Sequence, residues 1–294
     1  MAGTFPDKAR VRALIRKTLE EDGTDHDRTV EFLAIGQRPM QARIIAGAPG
    51  VLAGVGVARM TFEEQAPRVK FDDHMKDGKT VGAGDIVAEV SGPADGILAA
   101  ERVALNFLQH LSGVATLTAR FVGGVVGKGV TILDTRKTLP LLRELQRYAV
   151  RVGGGANHRF NLSDMILIKE NHIHAAGGVD KLLELIPRCK APVEVEVEVE
   201  VDSLGFLREL LGAPVDRIML DNFSPGDVRQ ALAMMTEFYG ESQTPRPEIE
   251  VSGGIDLDTV GEYALNGVDF ISVGALTHSA PALDFNLEVV GDDA

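Results

Sequence analysis

The chain has 294 residues and a formal net charge of −13, with 45% hydrophobic and 25% charged residues, no tryptophan and one cysteine. That composition suits one large soluble domain or two modest ones. The acidic balance and the scarcity of aromatics disfavour nucleic acid and anionic membrane surfaces as partners. Cys189 leaves no intrachain disulfide possible and reads as a packing residue near a turn. No apolar run approaches the ~20 residues of a membrane span. The N-terminus lacks the apolar core of a signal peptide, so a cytoplasmic setting is expected.

In chain order, residues 7–22 predict a helix, with Val11, Leu14, Ile15 and Leu19 on one face. Between about 41 and 98, short apolar segments (43–46, 68–71, 85–90) are separated by Gly, Asp and Pro, the pattern of short strands joined by turns. A long helix follows over 99–124, with Leu105, Leu108, Leu111, Val114 and Leu117 at helical spacing. Strands are then predicted at 131–134, 165–169, 193–201, 217–220, 248–251 and 270–273. The intervening helices fall at 139–150 with Pro140 in the first turn, at 179–185, at 203–211 capped by Asp202 or Ser203, from Ser224-Pro225 onward, and at 257–265. Alternating strands and helices imply a parallel sheet. About six such units without a dinucleotide-type loop favour a barrel over an open sheet.

In parallel barrels the active site forms at the C-terminal ends of the strands, and here nearly every predicted strand ends in a polar cluster. The clusters are Asp134-Thr135-Arg136-Lys137, Lys169-Glu170-Asn171-His172, Glu200-Val201-Asp202, Asp221-Asn222, Ser252-Gly253-Gly254 and Gly274-Ala275-Leu276-Thr277-His278, with the loop Gly153-Gly154-Gly155-Ala156-Asn157-His158-Arg159 entering the second unit. Between Asp134 and His172 stand seven basic residues against four acidic ones, reversing the sign of the whole chain. Arg143, Arg147 and Arg151 recur every four residues and read as a solvent or interface face of a helix. Arg136, Lys137, Arg159 and Lys169 lie at strand ends or in the glycine loop. Arginine binds carboxylate and phosphate bidentately and lysine acts as a point charge, so this set implies a multiply anionic ligand. The small residues Ser252-Gly253-Gly254 and Gly274-Ala275 let backbone N–H groups approach a phosphate.

The run from Val193 to Val201 alternates strictly, so its four glutamates share one face. Valines toward the helices and glutamates toward the barrel axis is the natural choice, with Glu200, and after it Glu198, reaching the mouth. Glu200 and Asp221 then supply acids opposite the cations. His158 and His278 neighbour the anion-binding groups and can donate to them, whereas His26, His74, His110 and His174 read as structural or surface residues. No spacing resembles a zinc or iron site.

These motifs, in this order, resemble the quinolinate phosphoribosyltransferase family. The matching text is Glu101-Arg102-Val103-Ala104-Leu105-Asn106, Leu111-Ser112-Gly113-Val114-Ala115-Thr116, Asp134-Thr135-Arg136-Lys137-Thr138, Gly153 to Arg159, Ile168-Lys169-Glu170-Asn171-His172, Leu220-Asp221-Asn222-Phe223, Ser252-Gly253-Gly254 and Val273-Gly274-Ala275-Leu276-Thr277-His278-Ser279. The resemblance spans essentially the whole chain. It implies an α/β protein: an N-terminal α/β open-sandwich domain over 1–114, and an incomplete (β/α) TIM-like barrel over 115–279, with 280–294 packing back on the first domain.

The same resemblance implies transfer of phosphoribosyl from phosphoribosyl pyrophosphate to quinolinate with decarboxylation, giving nicotinate mononucleotide for NAD synthesis. Arg136, Arg159 and Lys169, with Arg102 supplied by the partner in a homodimer, are then expected to hold the two carboxylates of quinolinate. His158, Lys137 and Thr135 line the same pocket. Glu200 and Asp221 face the ribose and the departing pyrophosphate, which brings Mg²⁺. The Ser252, Gly253, Gly254 and Val273, Gly274, Ala275 loops, with His278, hold the 5-phosphate. Lys137, Lys169, Glu200 and Asp221 are the residues closest to the chemistry. The alternating Val-Glu run is longer than the family pattern, and Glu200 is assigned because it precedes Val201-Asp202-Ser203. Three alternatives stand beside this one: a phosphosugar barrel enzyme using Lys169 as a Schiff base, a molybdenum-transport-associated paralogue, and a phosphometabolite-binding regulator.

Overall fold

The computed structural model describes residues 4–190, 195–240 and 245–290, with the side chains of Cys189 and Lys190 not among them. The packing expected of Cys189, and the start of the predicted strand at Val193 and Glu194, therefore lie outside the described residues. The strands, in chain order, are β1 (Pro39–Ala46), β2 (Gly50–Val51), β3 (Lys70–Asp73), β4 (Thr80–Val81), β5 (Ile86–Pro93), β6 (Thr131–Leu133), β7 (Ile166–Ile168), β8 (Val197–Val201), β9 (Arg217–Asp221), β10 (Glu248–Ser252), β11 (Phe270–Ser272) and β12 (Phe285–Val289). Two compact units emerge. One comprises the chain up to Ala119, with Thr138–Gly154 and the stretch from Leu276 onward; the other comprises Arg120–Lys137 and Gly155–Ala275.

The first unit is built on an antiparallel sheet of order β12-β1-β5-β3, with β2 and β4 as a separate pair. The chain's last described strand, β12, pairs with β1 from Ala42↔Val289 to Ala46↔Phe285. Alternation along β1 turns Ala42, Ile44 and Ala46 inward, where they meet Val87, Val90, Phe62, Ile97 and Leu105 in one apolar core. The helix Lys8–Asp22 buries Val11, Ile15 and Leu19 as its sequence period requires, and Asp7 caps it by accepting the Arg10 N–H. Helix Val55–Gln65 falls where only strands and turns were predicted. It buries Val55, Val57, Ala58, Met60, Thr61 and Phe62 on more than one side, which erases the amphipathic period. Its first turn is capped from a distance, because Asp77 accepts from the Gly54 and Val55 amides at 3.0 Å each. The long helix begins earlier than predicted and covers Ala94–Gly124.

The helix predicted over 139–150 is instead Arg143–Val152. Leu141 is left-handed (φ +63°), which no α-helix accommodates. The Leu139 N–H donates to Gln146 Oε1, so Pro140 sits in a turn before the helix rather than in its first turn.

The second unit holds six parallel strands in the order β6-β11-β10-β9-β8-β7. Among the described residues β6 and β7 do not pair, so the barrel is incomplete; one bridge, Leu133↔Ala156, extends it on the β6 side. Its helices include Glu170–Ala176, which was not predicted, Val179–Lys190, Leu204–Leu210 capped by Ser203, and Pro225–Gly240 opened by reciprocal bonds between Ser224 and Asp227. The helix expected over 257–265 shortens to Val260–Tyr263. Val197, Val199 and Val201 are buried and Ile218, Leu220, Ile249 and Val251 likewise. Period two then turns Glu198, Glu200, Met219, Asp221, Glu250 and Ser252 to the opposite face.

Candidate active site

At the C-terminal ends of these strands lies a cavity of about 370 Å³, lined by Thr135, Arg136, Lys137, His158, Arg159, Lys169, Glu200, Asp221 and Ser252, with Leu167, Met219, Glu250 and Ser272. Nine residues singled out from sequence thus converge on one space. Gly253 and Gly254 follow Ser252 directly, both at positive φ, and Val273 is buried at the end of β11, where its N–H donates to Leu133 O at 3.0 Å. Gly274 and Ala275 continue from it. Arg102 and His278 belong to the first unit. There Arg102 is largely exposed and lies 3.9 Å from Glu101, while His278 Nδ1 is 2.6 Å from Ser279 Oγ.

Each cation is fixed by its local chain. Asp134, fully buried at the end of β6, accepts the His158 N–H at 2.8 Å and the Asn157 amide at 2.6 Å. That clamp brings the glycine loop alongside Thr135-Arg136-Lys137. Thr135 Oγ1 accepts the Lys137 N–H at 3.0 Å and shapes the turn that carries both cations. Arg159 Nη1 donates to Met165 O at 3.1 Å. Lys169 ends β7 because helix Glu170–Ala176 starts at once, with His172 Nδ1 accepting the Lys169 N–H. Asn222, at φ +58°, crosses over Gly253, where a Cβ would stand 2.2 Å from its Oδ1; only glycine fits there.

The electrostatics match a guest carrying several negative charges. Burial, then the neighbouring Arg136, presses the pKa of Arg159 down, while Glu198 and Asp164 pull it back. Burial, then the nearby Glu200, raises Asp221, while Lys169 and Lys137 pull it back. Lys169 Nζ bonds to Glu200 Oε2, so one cation is already engaged with the acid across the mouth. A larger hollow of about 700 Å³ in the first unit is lined by Asp25, Asp27, Glu31 and Asp95 with Arg68 as the single basic residue, a poor host for an anion.

Sequence reasoning missed Glu250, Met219, Leu167 and Ser272. Each is the inward residue of its strand, visible from alternation once β7, β9, β10 and β11 are aligned. It also missed that Asp134 fixes the glycine loop through the His158 N–H and the Asn157 side-chain amide.

A parallel, open-ended barrel with a cationic mouth defines the class: a barrel protein built to take a small, multiply anionic molecule. The profile of the quinolinate phosphoribosyl transferase C-terminal domain matches residues 114–288, and that of the N-terminal domain matches 27–112. A protein of Mycobacterium leprae named nicotinate-nucleotide pyrophosphorylase (carboxylating) is 40% identical over 95% of this chain and 96% of its own. Quinolinate phosphoribosyltransferase (decarboxylating) 1b of Nicotiana tabacum is 38% identical over 95% of this chain and 82% of its own. The solved structure of the nicotinate-nucleotide pyrophosphorylase from Francisella tularensis superposes with a TM-score of 0.87 at 37% identity, covering 97% of each chain. The chain belongs to the quinolinate phosphoribosyltransferase family.

Proposed function

We propose that this chain transfers the phosphoribosyl group of phosphoribosyl pyrophosphate to quinolinate and releases CO₂ and pyrophosphate, forming nicotinate mononucleotide for NAD synthesis. The observation that carries the reading is the convergence of Arg136, Lys137, Arg159 and Lys169 on one cavity of about 370 Å³ in a chain of net charge −13. Arg136 and Arg159, with Lys169, bind the two ring carboxylates and set the pyridine nitrogen toward C1 of the ribose. Glu200 and Asp221 stabilise the oxocarbenium-like centre that develops as pyrophosphate departs. Phosphoribosyl pyrophosphate enters as its Mg²⁺ complex, and Lys137 and Lys169 offset the charge of the leaving group. The loops at Ser252, Gly253 and Gly254 and at Val273, Gly274 and Ala275 take the 5-phosphate. The positive ring nitrogen stabilises the electron pair left on C2 as CO₂ departs, and a proton from solvent then forms the C2–H bond, so no protein nucleophile is needed. The clustered cations disfavour a Schiff-base role for Lys169, because a sugar-phosphate aldolase has no use for so many convergent charges.

We place the enzyme in the cytoplasm as a homodimer, with Arg102 completing the partner's quinolinate site. The single cysteine supports a reducing setting. Among the described residues no helix is long and apolar enough to cross a membrane. Incubation with quinolinate, phosphoribosyl pyrophosphate and Mg²⁺ should yield nicotinate mononucleotide and CO₂; no product with fully folded protein refutes the activity. Arg102→Ala and Lys169→Ala subunits, each inactive, should regain activity when mixed into verified heterodimers, through one intact site per dimer. Heterodimers without activity refute the shared site.

A further inference from the structure

Beneath the cations lies a buried cluster that this chemistry leaves unused. Glu198 and Glu250 are both 0% exposed, and His158 stands between them. His158 Nε2 is 3.1 Å from Glu198 Oε2 and 3.4 Å from Glu250 Oε2. Arg217 reaches the same Glu250 oxygen at 3.3 Å and lies 4.1 Å over the Phe270 ring. On the other side of the imidazole, the Arg159 N–H donates to Nδ1 at 2.7 Å.

Two buried carboxylates are costly unless compensated. Arg217 balances one of them. A proton balances the other, on Glu198 or on the ring. Burial, opposed by His158 and reinforced by Glu250, raises the Glu198 pKa. Burial also opposes charge on His158, but the Glu198 and Glu250 carboxylates beside Nε2 outweigh that and hold its pKa up at about 9. The Arg159 amide, which needs the Nδ1 lone pair, resists the second ring proton. Nε2–H is therefore common to both protonation states. A divalent ion bound by His158, Glu198 and Glu250, whose ligand atoms lie within 4.8 Å of one another, would overcompensate the pair that Arg217 already half-neutralises. It would also crowd Arg159 and Arg136. The groups facing the ring are thus Glu198, Glu250, Arg217, Arg159 and, through its backbone bond, Asp134.

We propose that Glu198 and Glu250 are positioning residues: they clamp His158 by Nε2–H so that its ring forms a fixed floor under quinolinate and masks their own charge from that dianion. Glu250 itself lines the cavity, so a displaced ring exposes a carboxylate to a dicarboxylate guest. The proposal rests on the quinolinate reading above. It gives two glutamates of the alternating strands a role exerted only through His158.

The test uses the full chain. Glu198→Gln and Glu250→Gln keep shape and remove charge, and each should raise the quinolinate KM about tenfold while the phosphoribosyl pyrophosphate KM moves less than about twofold. In a His158→Asn background, Glu250→Gln should add no further rise, because the clamp has nothing left to hold. Equal rises in both KM values, or full additivity in the double variant, overturn the proposal. Nitrogen-15 NMR of the wild-type histidines, with His158 assigned by its loss in His158→Asn, decides the matter even if the glutamate variants do not fold. An Nε2–H ring supports the clamp, and an Nδ1–H tautomer overturns it. One tightly held divalent metal per purified chain also overturns it. A wild type inactive toward quinolinate would sink the activity, while the NMR result would still report on the clamp.

Discussion

In the antiparallel sheet, β1 sends Ala42, Ile44 and Ala46 inward and leaves Arg43 outside, paired with Glu89 at 2.8 Å. In the parallel sheet, β8 and β10 do the reverse: Val199, Ile249 and Val251 face the covering helices, and Glu198, Glu200 and Glu250 face the interior. Both sheets follow the same two-residue period. What differs is the use of the inner face. The first sheet closes a dry core and stabilises its unit by burying apolar surface. The second holds paired charges whose arrangement is costly for folding and useful for an anionic guest. Substitutions should therefore separate stability from recognition according to the sheet they touch.

The largest effect should come from the dry core. Phe62→Ala, at a fully buried site, should cost about 3–5 kcal/mol of unfolding free energy by denaturant titration. Its surviving folded fraction should keep the wild-type ratio of the two substrate KM values. A changed ratio would show that the apolar core of the first unit takes part in discrimination. Next, Arg136→Ala should lose about 3 kcal/mol of quinolinate binding, on the order of 100-fold, and far less of phosphoribosyl pyrophosphate binding. Binding isotherms for each substrate measure this, and equal losses would contradict the carboxylate assignment. A third effect is on pH dependence. The His158 pKa is raised from 6.5 to about 9, so its contribution to stability is complete below about 6.5 and is lost as pH rises through about 9. Wild type should lose stability across that window relative to His158→Asn; parallel curves would show that the ring does not titrate there.

The barrel was legible because its strand ends carry residue types that solvated loops have no reason to repeat. Arg136, Lys137, Arg159, Lys169, Glu200 and Asp221 could be grouped by position alone, and the structure brings them to one cavity. The valine–glutamate run announced its two faces. What stayed hidden depends on partners distant in sequence. Helix Val55–Gln65 is capped by Asp77 rather than by its own neighbours, and its buried residues surround it. The turn before Arg143 depends on Leu141 adopting a conformation that leucine ordinarily avoids. Glu250 in Ile249-Glu250-Val251 looks like any solvated strand glutamate, and only Arg217 and His158 reveal why it can be buried.

The ionic interior also bears on how the chain assembles during synthesis. Glu198 follows His158 out of the ribosome, Glu200 follows Lys169, and Glu250 follows Arg217. Each inward glutamate of β8 and β10 thus emerges after its basic partner, and until its strand docks water holds that charged face. Such a strand resists collapsing early onto the wrong neighbour or another nascent chain, much as edge charges deter sheet aggregation. The charges of the inner face are thus laid down base first, so each glutamate strand can dock against a partner already made.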